Sequence, residues 1–212
     1  MITGPIAPAQ SQNRSFEIII QELVARTFAP CVTEVVKRVI HTTADFDYAD
    51  NLCFSENVIE RAKEALSAGA TVVTDTNMAL AGISKSTLAK IGGRALCLMA
   101  DEEVAREAKA RGVTRATVSM EHAAKLDGPL IFAVGNAPTA LIRLHELITE
   151  DAVQPALVIG VPVGFVNVVE AKELFLGGVT PYIIARGRKG GSNVAAAIVN
   201  ALLYQLVKRE GF

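Results

Sequence analysis

Tryptophan is absent from the 212 residues, and histidine and cysteine occur only three times each. Cys31, Cys53 and Cys97 are odd in number and far apart, with no CxxC pair, which argues against a disulfide framework or a zinc ribbon. They read as packed, reduced thiols of a cytoplasmic protein. The histidines form no HxxH or HExxH spacing, so no metal site is written into the chain. The net charge of −1 supplies no basic field to recruit nucleic acid or an acidic membrane. Mean hydropathy is positive. Yet the longest apolar region, ALVIGVPVGFVNVVEA, is interrupted by Pro162, Gly164 and Asn167 and falls well short of the ~20 clean residues a membrane span needs. The opening residues, MITGPIAPAQSQ, lack the basic-then-apolar pattern of a secretory leader. Also missing are GxxxxGK[ST], GxGxxG and GxSxG, the loops of nucleotide binding and of serine hydrolysis.

Half the residues are apolar and a fifth are charged, which is enough for a real core and argues against disorder. The length fits one domain over 1–212. It divides into a helical N-terminal section over about 1–68 and an α/β section over 70–208. In the first, Phe16, Ile19, Ile20 and Leu23 make a helical stripe, and Val32, Val35, Val36 and Val39 make another after Pro30. SENVIERAKEALSAG offers Ser55 as an N-cap and Gly69 as a stop. In the second, apolar runs at 70–74, 95–99, 129–134, 156–160 and 182–185 alternate with helical segments near 84–91, 101–111, 117–126, 137–149, 168–176 and 191–208. Unbroken apolar strands between helices predict a three-layer, Rossmann-like doubly wound parallel sheet.

Ligands of such sheets bind beyond the carboxyl ends of the strands. The strand-to-helix turns there are rich in Gly, Pro, Asn and Thr: VTDTNMALAG, VGNAPTAL, GVPVGFVN and RGRKGGSN. In GNAPTAL, Asn136 stands near an N-cap and Pro138 in the first turn. The segment reads either as a well-capped helix or as backbone N–H groups offered to an anion. RGRKGGSN brings Arg186, Arg188 and Lys189 to a glycine-rich turn, either as a solvated charge run or as a clamp for carboxylates or phosphates. Arg115 sits beside Thr114 and Thr117 at a helix start and reads as a surface arginine or another anion contact.

Of the histidines, His145 lies on the stripe of Leu141, Leu144 and Ile148 and reads as a packed residue, while His122 has polar neighbours and reads as surface. His41, in VIHTTADFDY, is at a helix end. Helical spacing puts it on one face with Lys37 and Arg38, away from the valines. The cations lower its pKa and the helix C-terminus raises it, so it titrates near neutrality with a net sign left open. Asp45 and Asp47 read as a turn's solvated charges or as a carboxylate pair.

The ordered segments VIHTTADFDY, TDTNMALAGI, GVTRA, GNAPTALIRL, GVPVGFVNVVEAKE and RGRKGGSNVAAAIVNALLY resemble the precorrin-8 methylmutases of corrin (vitamin B12) biosynthesis, from about Ser15 to Tyr204. The wording is nearer the cobalt-precorrin-8 branch. The resemblance implies an isomerase that moves a methyl group from C11 to C12 of the macrocycle and gives a cobyrinic or hydrogenobyrinic acid. It implies a homodimer, and no cofactor beyond any cobalt carried by the corrinoid substrate. His41 falls on the family's catalytic histidine. Ser15, Arg38 and Arg115 fall on substrate-binding positions, and Thr76, Asn136, Thr139, Arg186 and Arg188 complete the expected substrate contacts. Ala171 departs from the family, which usually has serine there. Two alternatives remain: a corrinoid carrier that binds without converting, and a methyltransferase using S-adenosylmethionine. The absence of a glycine-rich fingerprint at TDTNM speaks against the second.

Overall fold

Four apolar runs are buried along their whole length and form the middle of one sheet in a computed structural model, described for residues 8–23 and 26–207. The leader reading rests largely on residues 1–7, and the expected last helix extended to 208; both lie outside the described residues. The central strands are β2 (Thr71–Thr74), β4 (Leu130–Val134), β5 (Leu157–Gly160) and β6 (Tyr182–Ala185), with β1 (Leu52–Phe54) and β3 (Arg94–Leu96) at the edges. The order is β1-β6-β5-β4-β2-β3, parallel except that β1 runs antiparallel to β6. The five parallel strands thus follow a doubly wound arrangement whose order reverses between β2 and β4, the point where such sheets open a crevice.

Alternation along the strands sends side chains to both faces. Ile131, Ala133, Leu157, Ile159 and Ile183 pack under α2 (Pro30–Thr43), α4 (Val58–Ser67), α5 (Asn77–Gly82) and α11 (Ser192–Leu206). Phe132, Val134, Val158 and Ile184 pack under α8 (Arg115–Ala123), α9 (Pro138–Thr149) and α10 (Val168–Glu173). Three layers result, as the unbroken apolar strands predict. Small residues bring α5 and α11 close: a Cβ on Gly82 would come within 2.8 Å of the Ala196 methyl. The remaining helices are α1 (Pro8–Glu22), α3 (Tyr48–Asn51), α6 (Lys85–Lys90) and α7 (Glu102–Arg111).

Four expectations need correction. The N-terminal section is not wholly helical, because β1 joins the sheet as an antiparallel edge; three residues are too few to display a strand period. Ser55 does not cap α4. Its hydroxyl accepts the Tyr182 N–H at 2.9 Å and prolongs the β1–β6 pairing, while Asn57, at φ 53°, takes the cap position. One residue of the α1 stripe is not used: Phe16, Ile19 and Leu23 pack on the core but Ile20 is 48% exposed. In the turn after β2, read as loop, the segment 77–82 is a further helix capped by Thr76.

Candidate functional site

Pro30 starts α2 and a buried stripe of Val35, Val36, Val39 and Ile40 holds it to the core. Ala44 ends it in the left-handed conformation (φ 54°), its N–H bonded to the Ile40 carbonyl, where a non-glycine residue costs about 1 kcal/mol. That turn leaves His41 in the last helical turn and leads through 45–47 into α3 and β1. Since β1 is antiparallel, its start lies at the carboxyl end of β6, where Arg186 donates its backbone N–H to Asn51 O at 2.8 Å. His41 is thereby brought to the ligand-binding edge of the sheet.

His41 and Ser15 share a cleft of about 290 Å³ whose other walls, Ile18, Ile19, Ile40 and Phe46 among them, are apolar. The imidazole packs on Phe16, ring centroids 5.0 Å apart. Lys37 and Arg38 flank the same ring at 4.9 and 5.2 Å, as the shared helical face predicts. Lys37 is paired with Glu34 at 2.6 Å. Burial of the ring, then the Arg38 charge, push the His41 pKa below its ordinary value, which settles the sign left open by the sequence. The Ser15 hydroxyl donates to Ser11 O at 2.9 Å and keeps its lone pairs.

A second cleft, about 430 Å³, opens where the strand order reverses and is lined by Thr76, Met78, Asn136, Val163, Gly190 and Asn193, with others. Asp75, 1% exposed, is bonded to two residues of its lining, Gly135 and Asn136. Its carboxylate accepts the backbone N–H groups of Gly135 (2.8 Å), Asn136 (2.8 Å) and Ala137 (2.6 Å). Burial pushes this carboxyl upward and the three N–H bonds pull it back. The N–H groups of Gly135, Asn136 and Ala137 are therefore not offered to an external anion, and α9 is not capped by Asn136 either: Ala137 holds the cap position without a side-chain hydrogen bond. Thr76 is likewise engaged, accepting Ala79 N–H at 3.0 Å and sharing a 2.7 Å hydrogen bond with Ser192. Thr139 receives the Thr114 hydroxyl at 3.1 Å, which joins the starts of α8 and α9. Arg115 is exposed at the first position of α8, and neither it nor Thr139 lines either cleft.

The two clefts are tied by the turn after β6. Lys189 reaches across to Asp45 at 2.6 Å and Asp47 at 2.7 Å, so these turn aspartates, though Asp47 stays exposed, are ion-paired. Arg186 and Arg188 stay exposed and meet no carboxylate among the described residues; Arg188 lies over the Phe165 ring at 5.5 Å. Phe165, 81% exposed, and Val166, 76% exposed, add an apolar shelf beside these cations. Under the turn, Lys172 of α10 is 1% exposed and donates to the carbonyls of Gly187 and Lys189, both at 2.8 Å.

Sequence reasoning missed Asp75 and Lys172. Each left a signal: an acid directly after a buried strand, and a lysine on the stripe of Val168, Ala171 and Phe175. Ala171 is fully buried in the core, away from both clefts. His145 packs edge-on against Phe175 as expected, but His122 is partnered, 2.8 Å from Glu107. Among the described residues no group of three potential ligands could hold a metal, and no helix is long and apolar enough to cross a membrane. Volume alone does not mark the site: a larger cleft of about 600 Å³ lies at the other end of β5 and β6, beside Pro155 and Pro181.

Residues 11–205 match the sequence profile of the precorrin-8X methylmutase family. A cobalt-precorrin-8 methylmutase of Salmonella typhimurium is 48% identical over 94% of this chain and 96% of its own. A precorrin-8X methylmutase of Pseudomonas aeruginosa is 39% identical over 90% and 92%. The crystal structure of precorrin-8X methylmutase from Thermus thermophilus superposes with a TM-score of 0.83 at 40% identity, covering 91% of this chain and 93% of that one. A family profile matching nearly the whole chain and relatives of 39–48% identity over nine-tenths of it show that the chain belongs to the precorrin-8X methylmutase family.

Proposed function

We propose that this protein is the isomerase that shifts a methyl group from C11 to C12 of cobalt-precorrin-8, giving the corresponding cobyrinic acid on the route to cobalamin, with His41 as the proton donor. The observation that carries this reading is His41 itself: an imidazole of lowered pKa in an apolar cleft, beside Ser15 and within reach of the Arg38 charge. The bond from C11 to the methyl carbon breaks as the bond to C12 forms, within one molecule. The step therefore calls for no methyl donor, oxidant or cofactor. Hydrogen bonding or proton transfer from His41 to the conjugated nitrogens draws electron density from the migrating centre, an effect typically worth about 10²–10⁴-fold. A lowered pKa makes the imidazolium a stronger acid.

The substrate is a broad ring with several carboxylate arms and reaches beyond either cleft. It lies across both, its arms on Arg186 and Arg188, and its apolar surface on Met78, Val163 and Phe165. Holding it in one orientation supplies the remainder of the acceleration. The cobalt-bearing substrate is preferred because the 48% identical relative is a cobalt-precorrin-8 methylmutase. The exposed Ile18 and Ile20 beside the His41 cleft favour a homodimer that covers them, working in the cytoplasm.

The test is absorbance after mixing the protein with cobalt-bearing and with metal-free substrate. Conversion is expected with the first, whereas a carrier would leave the spectrum unchanged. His41→Ala is expected to fold, bind the corrinoid product and lose about 10²–10⁴-fold in kcat; normal turnover would remove the acid role. In the wild type, kcat/KM rises as pH is lowered toward the His41 pKa and levels off beneath it, since the acid form accumulates. Arg38→Gln moves that limb to higher pH by removing a charge that opposes the imidazolium. A profile unmoved by this substitution would separate Arg38 from His41.

A further inference from the structure

Lys172 has no part in the proposed chemistry, yet its placement is costly. The side chain is almost fully buried, it forms no ion pair among the described residues, and burial pushes its pKa down to about 8. An apolar side chain of the same length would fill the space without that desolvation cost. What the amine does there is visible in its partners, the carbonyls of Gly187 and Lys189, each 2.8 Å from Nζ. These two carbonyls bracket Arg188 in the chain. Two donors suffice for two carbonyls, so the neutral amine serves as well as the ammonium.

The turn it grips has no regular secondary structure to give it a shape. Gly187 (φ 73°) and Gly191 (φ 139°) adopt backbone that side-chain-bearing residues rarely reach, and glycines lose the most freedom when ordered. A Cβ on Gly190 would overlap the Val161 carbonyl, so the turn must also press against the end of β5. Of the backbone groups of 186–191, Arg186 N–H bonds to Asn51 O at 2.8 Å, Arg188 O accepts the Gly164 N–H at 3.1 Å, and Gly191 N–H bonds to Val161 O at 2.8 Å. The carbonyls of Gly187 and Lys189 are left for Lys172 alone.

We infer that Lys172 is the positioning residue of the substrate-carboxylate clamp: by holding the carbonyls on either side of Arg188, it fixes the turn in the shape that presents Arg186 and Arg188 outward. This rests on the reading of those two arginines as carboxylate anchors. The buried amine takes the place of the regular secondary structure that the glycine-rich segment lacks. Cationic side chains on an ordered turn bind without first losing backbone freedom, so the ordering is done at folding and not at binding.

The test compares Lys172→Met, close in length but without donors, with Lys172→Gln, which restores an NH₂ with two N–H groups. Lys172→Met is expected to raise KM for cobalt-precorrin-8 about 10-fold with kcat within about twofold, and to speed amide hydrogen exchange in 186–191 while the sheet strands keep their protection. Lys172→Gln is expected to recover part of the KM loss, and it carries the test if the methionine variant does not fold. Combining Lys172→Met with Arg186→Ala and Arg188→Ala should add nothing to the KM of the arginine variant, because the clamp is already gone. Additive effects, or a KM left unchanged in both lysine variants while the arginine variant raises it, would overturn the role of Lys172 alone. If the arginine variant itself leaves KM unchanged, the clamp reading fails first.

Discussion

The turn after β4 and the turn after β6 look alike in sequence, each a glycine-bearing link from a buried strand to a helix at the crevice edge, yet they serve opposite ends. After β4, the N–H groups of Gly135, Asn136 and Ala137 all go to one buried carboxylate, Asp75, contributed by the neighbouring strand's end. After β6, the carbonyls of the turn are taken by Lys172, and the guanidinium groups of Arg186 and Arg188 remain without carboxylate partners among the described residues. A segment with the composition of an anion site becomes one only if its donors are not consumed internally. The first turn spends its donors on stiffness; the second spends Lys189 on Asp45 and Asp47 and leaves Arg186 and Arg188 exposed.

This contrast can be broken in graded ways. The largest effect is expected from Asp75→Ala, which leaves three buried N–H groups unpaired at once. The loss should be on the order of 3 kcal/mol or more, read from the denaturant midpoint, with corrinoid affinity falling only as far as the fold does. A stability change under 1 kcal/mol would mean water replaces the carboxylate easily. Next come Arg186→Ala and Arg188→Ala, which should weaken binding of the corrinoid product by about 10- to 100-fold each, as for a charge-assisted hydrogen bond. Their denaturant midpoints should barely move, since both side chains are exposed; lower turnover with intact affinity would contradict the clamp. The smallest effect belongs to Lys189→Met, which removes a partly exposed bridge to Asp45 and Asp47. Such pairs contribute about 1 kcal/mol or less. The same substitution sharpens the comparison if it slows turnover, because it also unties the segment that follows His41 from the cation turn.

Much of this was legible in the chain. Apolar runs marked all five parallel strands, and 3.6-residue stripes marked α2 and α9, because both signals are local. His41 with Arg38 and Ser15 could be placed together through helix spacing and through motif wording. The failures share one cause. β1 is only three residues long and is a strand by virtue of β6, some 130 residues later, and Ser55 caps nothing because Tyr182 claims its hydroxyl. That the backbone N–H of Asn136 is taken by Asp75, 61 residues earlier, could not be read from GNAP itself.

The sequence by itself determined the alternation of strand and helix, the face each helix buries and, through six ordered segments, the family. These are properties of contiguous residues, fixed by periodicity and side-chain chemistry. Only the tertiary structure decided which polar groups are spent on one another: Asp75 on the β4 turn, Lys172 on the β6 turn, and Lys189 on two aspartates 142 and 144 residues away. Satisfaction of a hydrogen bond or a charge is a question of who stands within 3 Å, and the chain's order does not encode it.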